Sequence, residues 1–552
     1  MLCKMGVGAN SLLIRAVGAI IVLLGARFLY RGYLQRSRVR ALKAQGIPIL
    51  PHSLLFGHLR LLGDWRADNP PDANFYSFHT WLIKNCRKYF PDLDFPPPVV
   101  YLDLWPVEMQ LALVFDPVAA SQFTQTPSLP KLKLSTDFLV PLTSGLDIVS
   151  NEGIEWKTWR SRFNPGFSQR NLIAMLPALI EEVSIFASQL ESLAGSEGKW
   201  GSVFRLDEKT INLTFDIIVR ASLGMRLNEQ QRAESSPLKI ALLDQIRIMN
   251  YGANASRALP IGRMPWHNAA ARVNNKKIKD LVMPQIQSKL QAESNDSQVK
   301  TIVDLAIKYI DKDDPSASRE KPNAEFIDKL IANLKAFLFA GHDTTAATIC
   351  FMAKLLQDNT ECMAKVRAEH DAVLGPDPSE AAAVLTQSPH LLYALPGDFT
   401  RTAPGIQFNS AGFIDSLPDG RLGHVAIGSR SRTEPQLLAE AQRVHYPSDG
   451  HVPEGDPLHP VNNNAWAPFS IGPRNCIGME LALIELRIFA VLTARRFDIG
   501  EAWDKWDELQ GSKATPNAKI DGERLYSSGD GIVHPKDGMP IHVRLREHSP
   551  AV

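Results

Sequence analysis

The chain has 552 residues and 45% hydrophobic content, enough to bury a large core. Its 60 basic and 59 acidic residues leave a formal charge of +1, a balance that argues against a nucleic-acid-binding surface. The five cysteines (Cys3, Cys86, Cys350, Cys362 and Cys476) show no CxxC spacing. An odd, unpaired set in a long chain argues against a disulfide scaffold or zinc module and fits a reducing compartment.

No Asp or Glu precedes Asp64. Leu12 to Tyr30 is mostly apolar, interrupted by Arg15 and Arg27, with an uninterrupted core from Ala16 to Ala26. A spanning helix needs about 20 apolar residues, and arginines near its ends can snorkel to the headgroups. Arg31, Arg36, Arg38, Arg40 and Lys43 follow the apolar stretch, so the positive-inside rule places the bulk of the chain in the cytosol. Two readings compete: a cleaved signal peptide, against which the lack of a small-x-small site after the apolar core argues, and a mitochondrial presequence, because the region is Arg-rich and free of acids. Residues 1–45 are therefore expected to form a membrane anchor and basic segment. Gly46 to Pro51, with two prolines, reads as a stiff hinge into one large domain over residues 46–552.

Within that domain the fold class reads as mainly α with small β-sheets. Val99 to Leu102 has strand character. Trp156 and Arg160 are four apart and share a helix face, where an indole N–H and a guanidinium suit an anionic group. An amphipathic helix with a core tryptophan would show the same spacing. Asn171 to Leu193 carries apolar residues at helical spacing, and Glu325 to Leu356 is a long apolar-striped helix. Inside the latter, Ala340-Gly341-His342-Asp343-Thr344-Thr345 is locally poor helix. A local rule broken inside a strong element marks a candidate site. The small Ala340-Gly341 pair would leave room beside a flat ligand, and Asp343 and Thr344 could pass protons. Asn359 to Leu374 ends at a Gly375-Pro376 stop.

Phe469-Ser470-Ile471-Gly472-Pro473-Arg474-Asn475-Cys476-Ile477-Gly478 brings one cysteine to the start of a helix predicted over Ile477 to Arg496. Its sulfur would meet free N–H groups and the positive end of the helix dipole, which favour the thiolate that binds iron. Arg474 offers a fork of donors to a carboxylate, and Phe469 would pack against a cofactor or the sulfur loop. Pro540 to Arg544 reads as a strand after a Lys536-Asp537-Gly538 turn.

The string Phe469-x-x-Gly472-x-Arg474-x-Cys476-x-Gly478 resembles the haem-binding signature of the cytochrome P450 family, and Ala340-Gly341-x-Asp343-Thr344-Thr345 resembles its oxygen-activation motif. The resemblance implies the P450 fold and haem b with Cys476 as the axial iron ligand. It further implies that Trp156 and Arg160 meet a haem propionate, that Thr344 hydrogen-bonds bound dioxygen, and that Asp343 helps deliver protons. The implied activity is insertion of one oxygen atom from dioxygen into an apolar small molecule. Electrons from NADPH would come through a separate NADPH-cytochrome P450 reductase, and the location would be the endoplasmic reticulum membrane with the catalytic domain cytosolic. Loop patterns look like fungal enzymes that tailor polyketides, terpenoids or other secondary metabolites. Residues between Trp65 and Lys131 and around Ser236 to Leu259 are expected to line the access channel.

The resemblance fails between Gly397 and His451. The family carries a Glu-x-x-Arg helix there, and no amphipathic helix is legible in this stretch; Glu440-Ala441-Gln442-Arg443 lies too near Cys476 to be that pair. Abrupt loss of pattern between intact flanks points to a shifted reading frame or an unspliced or misjoined exon, with genuine divergence as the rival reading. It also leaves open a catalytically impaired P450-derived protein. A haem-thiolate isomerase or dehydratase is a further alternative, against which the intact Asp343-Thr344 pair argues.

Overall fold

The structure is a computed structural model and describes residues 3–93, 95–106, 111–115, 131, 138–254, 265–291, 299–308, 323–394, 469–529 and 533–546. The stretch 397–451 lies outside them, as do residues 94, 107–110, 116–130 and 255–259 of the expected access channel.

Helix α1 (Cys3–Ala44) is longer than the apolar stretch alone. Residues 14–44 are long and apolar enough to cross a membrane, with none of the most apolar window buried in the protein. The Arg-rich half stays helical because Leu, Arg, Lys and Ala all have high helix propensity. It also docks on the domain: Val39 is buried, and Arg36 pairs with the buried Asp103 and donates to the carbonyls of Leu55 (3.2 Å) and Trp105 (3.0 Å). Residues 36 and 39 thus pack with the domain that was expected to begin at residue 46.

Two cores form. The smaller one groups Leu50, Trp65, Phe78, Trp81, Leu82 and Phe115 beside the antiparallel pair β1 (Val99–Leu102) and β2 (Leu111–Val114), in register Val99↔Val114. Trp65 meets Phe75 edge-on at 5.7 Å between ring centroids and is only 1% exposed, so it is a core residue.

The larger core is helical. Helix α2 is Gly153–Phe163, and α3 is Gln169–Leu193, started by Ser168, whose hydroxyl accepts from the Asn171 N–H. Helix α3 is also apolar enough to span a membrane, but half of that window is buried, and Leu172, Leu176, Leu179, Val183 and Phe186 make it a core helix. Helix α4 (Leu206–Leu223) packs along α7 (Ala324–Asp358), with α5 (Pro237–Asn254) and α6 (Pro265–Gln291) beside them. Helix α8 is Thr360–Leu374 and α9 is Met479–Thr493. The chain closes on an antiparallel sheet in the order β3 (Phe204–Arg205), β7 (Pro540–Leu545), β4 (Phe497–Glu501), with β5 (Ser527–Ser528) and β6 (His534–Pro535) paired separately. The mainly α fold with small sheets is as the sequence predicts.

Candidate functional site

Helix α7 runs unbroken through the locally poor segment. Asn323 caps it by accepting from the Glu325 N–H at 3.0 Å. The threonines stay helical by returning their hydroxyls to the preceding turn: Thr344 Oγ1 donates to the Ala340 carbonyl and Thr348 Oγ1 to the Thr344 carbonyl, each at 2.8 Å. His342 is buried, its Nδ1 2.6 Å from the Leu338 carbonyl, and burial holds its ring below the ordinary imidazole range. Its own carbonyl accepts from Thr214 Oγ1 of α4 at 2.6 Å. Ala340 is exposed and Thr344 partly exposed, on a helix otherwise largely buried, whereas Asp343 is only 4% exposed.

Gly341 has a different purpose from the one its size implies. A Cβ there would lie 2.8 Å from Ile218 Cγ1, so the glycine lets α7 approach α4. Its smallness is used by protein packing, not by space for a flat ligand.

The cysteine loop precedes α9. Gly472 takes φ +80°, in the left-handed region, and the Cys476 N–H donates to the Phe469 carbonyl at 2.8 Å, closing the loop. Phe469 itself is half-buried. Cys476 is exposed. A Cβ at Gly478 would sit 3.9 Å from its sulfur. The N–H groups of Gly478 and Met479 and the charge of Arg160 favour the thiolate, as the sequence suggests. The protein packed around the sulfur outweighs them, and the net shift of the thiol is upward. An attached cation would be needed to reverse it.

Trp156 and Arg160 do share a face of α2, and both reach this loop. Arg160 donates to the Asn475 carbonyl and to Asn475 Oδ1, each at 2.8 Å. The Arg474 guanidinium stacks 3.9 Å over the Trp156 ring, donates to the Asn151 carbonyl at 3.0 Å and pairs with the Glu152 carboxylate. Lys131 joins the cluster, its Nζ donating to the Val149 carbonyl, with burial and then Arg474 pushing it down. Arg474 Nε and Asn151 Nδ2 are buried donors without a partner among the described residues. One thiol, three cations with a single carboxylate among them, and two unsatisfied donors form a donor set that fits an iron porphyrin bearing propionates.

Sequence reading brought together Cys476, Arg474, Trp156 and Arg160, and separately Ala340, Gly341, Asp343 and Thr344. It missed Asn475, Glu152 and Lys131 at the loop. It also missed Asp207 and His534, which stand beside Asp343. Glu152 could have been found as the acid just ahead of α2; the others carry no local signal.

A family model described as Cytochrome P450 matches residues 113–389 and 451–519. A Polytolypa hystricis protein named cytochrome P450 monooxygenase polC is 31% identical, over 96% of this chain and 95% of that protein. An Aspergillus aculeatus protein named cytochrome P450 monooxygenase acrF is 27% identical, over 81% of this chain and 94% of that one. Among solved structures, the cytochrome P450DA heme domain superposes with a TM-score of 0.62 at 18% identity, over 92% of this chain and 99% of that one, which shows a shared fold.

Proposed function

Because the chain belongs to the cytochrome P450 family, we propose that it is a membrane-anchored haem-thiolate monooxygenase that inserts one oxygen atom into an apolar small molecule, in the biosynthesis of a secondary metabolite of polyketide or terpenoid type. The observation that carries this reading is the Cys476 sulfur, aimed at by the N–H groups of Gly478 and Met479 and flanked by Arg160. The two relatives named above carry monooxygenase names, which weighs against the isomerase, dehydratase and impaired-protein readings.

A bound haem supplies the iron at which dioxygen is activated, one oxygen atom going to substrate and the other leaving as water with two electrons and two protons. Cys476 Sγ would hold that group. Arg160, Arg474, Lys131 and Trp156 would receive its propionates. Thr344 offers a hydroxyl on the partly exposed face of α7, and the buried Asp343 places a carboxyl group one residue away to pass protons. Positioned proton donors of this kind contribute roughly 10²–10⁴-fold. Electrons come from NADPH through NADPH-cytochrome P450 reductase on the same membrane, the endoplasmic reticulum, with the catalytic domain cytosolic. An apolar substrate partitions into that membrane, next to α1.

The test is the reduced, carbon-monoxide-bound difference spectrum of membranes from a eukaryotic host making the full chain. The expected result is a red-shifted Soret band typical of a thiolate ligand, lost in Cys476→Ala. Membrane-inserted protein without that band overturns the reading.

A further inference from the structure

Asp343 belongs to a bridge that the oxygen-activation motif does not contain. Asp207 stands in the first turn of α4, Asp343 in the middle of α7, and His534 on β6, which packs against α7. His534 Nδ1 lies 3.3 Å from Asp207 Oδ2, and His534 Nε2 lies 3.5 Å from Asp343 Oδ1. The two carboxylate side chains are 11% and 5% exposed, whereas the imidazole is 37% exposed. One ring thus joins two buried carboxylates and also reaches water. Asp207 Oδ1 is buried without a partner among the described residues, so His534 is the polar partner that Asp207 has there.

The surroundings keep the charge on this ring. Burial opposes it, but the hydrogen bond to Asp207 and the charges of Asp343 and Asp207 prevail and raise His534 to about 9. Next to it on α7, His342 is buried and held neutral, with Lys239 of α5 adding to that effect. Cys350 of α7 is a buried thiol driven up by burial and by Asp207. Between these groups, His534 is the one that combines positive charge with access to solvent.

We propose that His534 is a positioning residue for Asp343: Asp207 fixes its tautomer through Nδ1, and Nε2 holds the Asp343 carboxylate and resupplies it with protons from solvent. This rests on the reading of Asp343 as the proton-delivering acid. One proton leaves His534 Nε2 for Asp343 Oδ1, the Nδ1–H stays directed at Asp207, and Nε2 regains a proton from water; no electrons move. A small tilt of the ring brings the 3.5 Å separation within hydrogen-bond distance. The tautomer logic is the general one for histidine, in which the bond at one nitrogen decides what the other can do.

The experiment uses the full-length holoenzyme in membranes with reductase and NADPH, without substrate. It compares wild type, Asp343→Asn, His534→Gln and His534→Arg, each first checked for the carbon-monoxide band. His534→Gln is expected to slow NADPH oxidation roughly tenfold and to raise its solvent isotope effect, a smaller loss than Asp343→Asn causes. His534→Arg keeps the charge but does not give up a proton at working pH, and it too is expected to be slow. If Asp343→Asn changes nothing, the underlying reading of Asp343 fails; if Asp343→Asn slows the flux and both His534 variants match wild type, the present proposal fails. Tm against pH gives a readout independent of turnover. The ring binds its proton more tightly when folded, so the stabilisation is complete below about 6.5 and disappears as pH rises through about 9. The Tm gap between wild type and His534→Gln should close over that window and should be smaller in an Asp343→Asn background. A gap that is the same at every pH overturns the bridge. Should His534→Gln not load haem, His534→Arg carries the test alone, and wild-type flux in it overturns the proposal.

Discussion

At Gly341 the hydrogen that replaces a side chain faces Ile218, where a Cβ would come within 2.8 Å of Cγ1. Ile218 is buried in α4, only 2% exposed. Gly341→Ala is therefore expected to destabilise the protein by about 1–3 kcal/mol despite the better helix propensity of alanine. Adding Ile218→Val should recover part of that loss, which a double-mutant cycle of Tm values measures. Single residues were legible in the sequence where their partners are close along the chain. Cys476, Arg474, Gly472 and Gly478 share one loop, and Asp343 and Thr344 are neighbours. Gly341 was legible as special but for the wrong reason, because Ile218 is far away in sequence. His534 was not legible at all: its partner Asp207 is 327 positions distant, and no periodicity marks a histidine that meets two carboxylates from different elements.

The helices were legible as elements because each has an apolar stripe and a stop. The expected spans over 171–193, 325–356 and 359–374 match α3, α7 and α8 to within two residues at either end, as capping rather than hydropathy sets the boundary. Helix α9 starts at Met479 instead of Ile477, since the residues after Cys476 are still turning toward the sulfur. Helix α9 also contains a liability that no pattern announced. Glu485 is 2% exposed, its Oε2 has no partner among the described residues, and burial pushes its carboxyl well above the ordinary range. A carboxyl raised in the folded state is stable there while protonated and costs stability once pH climbs above its unfolded value of 4.5. Glu485→Gln, which keeps the shape without the ionisable proton, should raise stability at neutral pH by roughly 1–3 kcal/mol. The gain should fade toward pH 4.5. Thermal unfolding of both proteins over that range decides it, and equal Tm values throughout contradict it.

Across the whole molecule, the family model stops at residue 389 and resumes at 451. That interval nearly coincides with the stretch Gly397 to His451, in which the sequence pattern is lost. The comparison and the reading of residues mark the same interval as departing from the family, and a shifted frame, an unspliced or misjoined exon and genuine divergence each predict that. Sequencing the transcript across these codons is expected to reveal the alternative junction, and a transcript encoding the stretch as written rules it out. The two-core arrangement was not legible, because the aromatic residues from Trp65 to Phe115 read equally well as channel lining until they were seen packed on one another.

Helix α1 continues without a break from its apolar stretch to Arg36, which is held by Asp103, Leu55 and Trp105. Each residue of an α-helix advances about 1.5 Å and turns about 100°. With α1 seated in a bilayer, the bearing of the catalytic domain over the membrane is set by the number of residues between Tyr30 and Arg36. One residue inserted there would swing the domain by about 100° around the helix axis, whereas seven would return nearly the same bearing about 10 Å further from the surface. Orientation on the membrane is thus a matter of helical phase, sensitive to length and almost indifferent to which helix-forming side chains fill it.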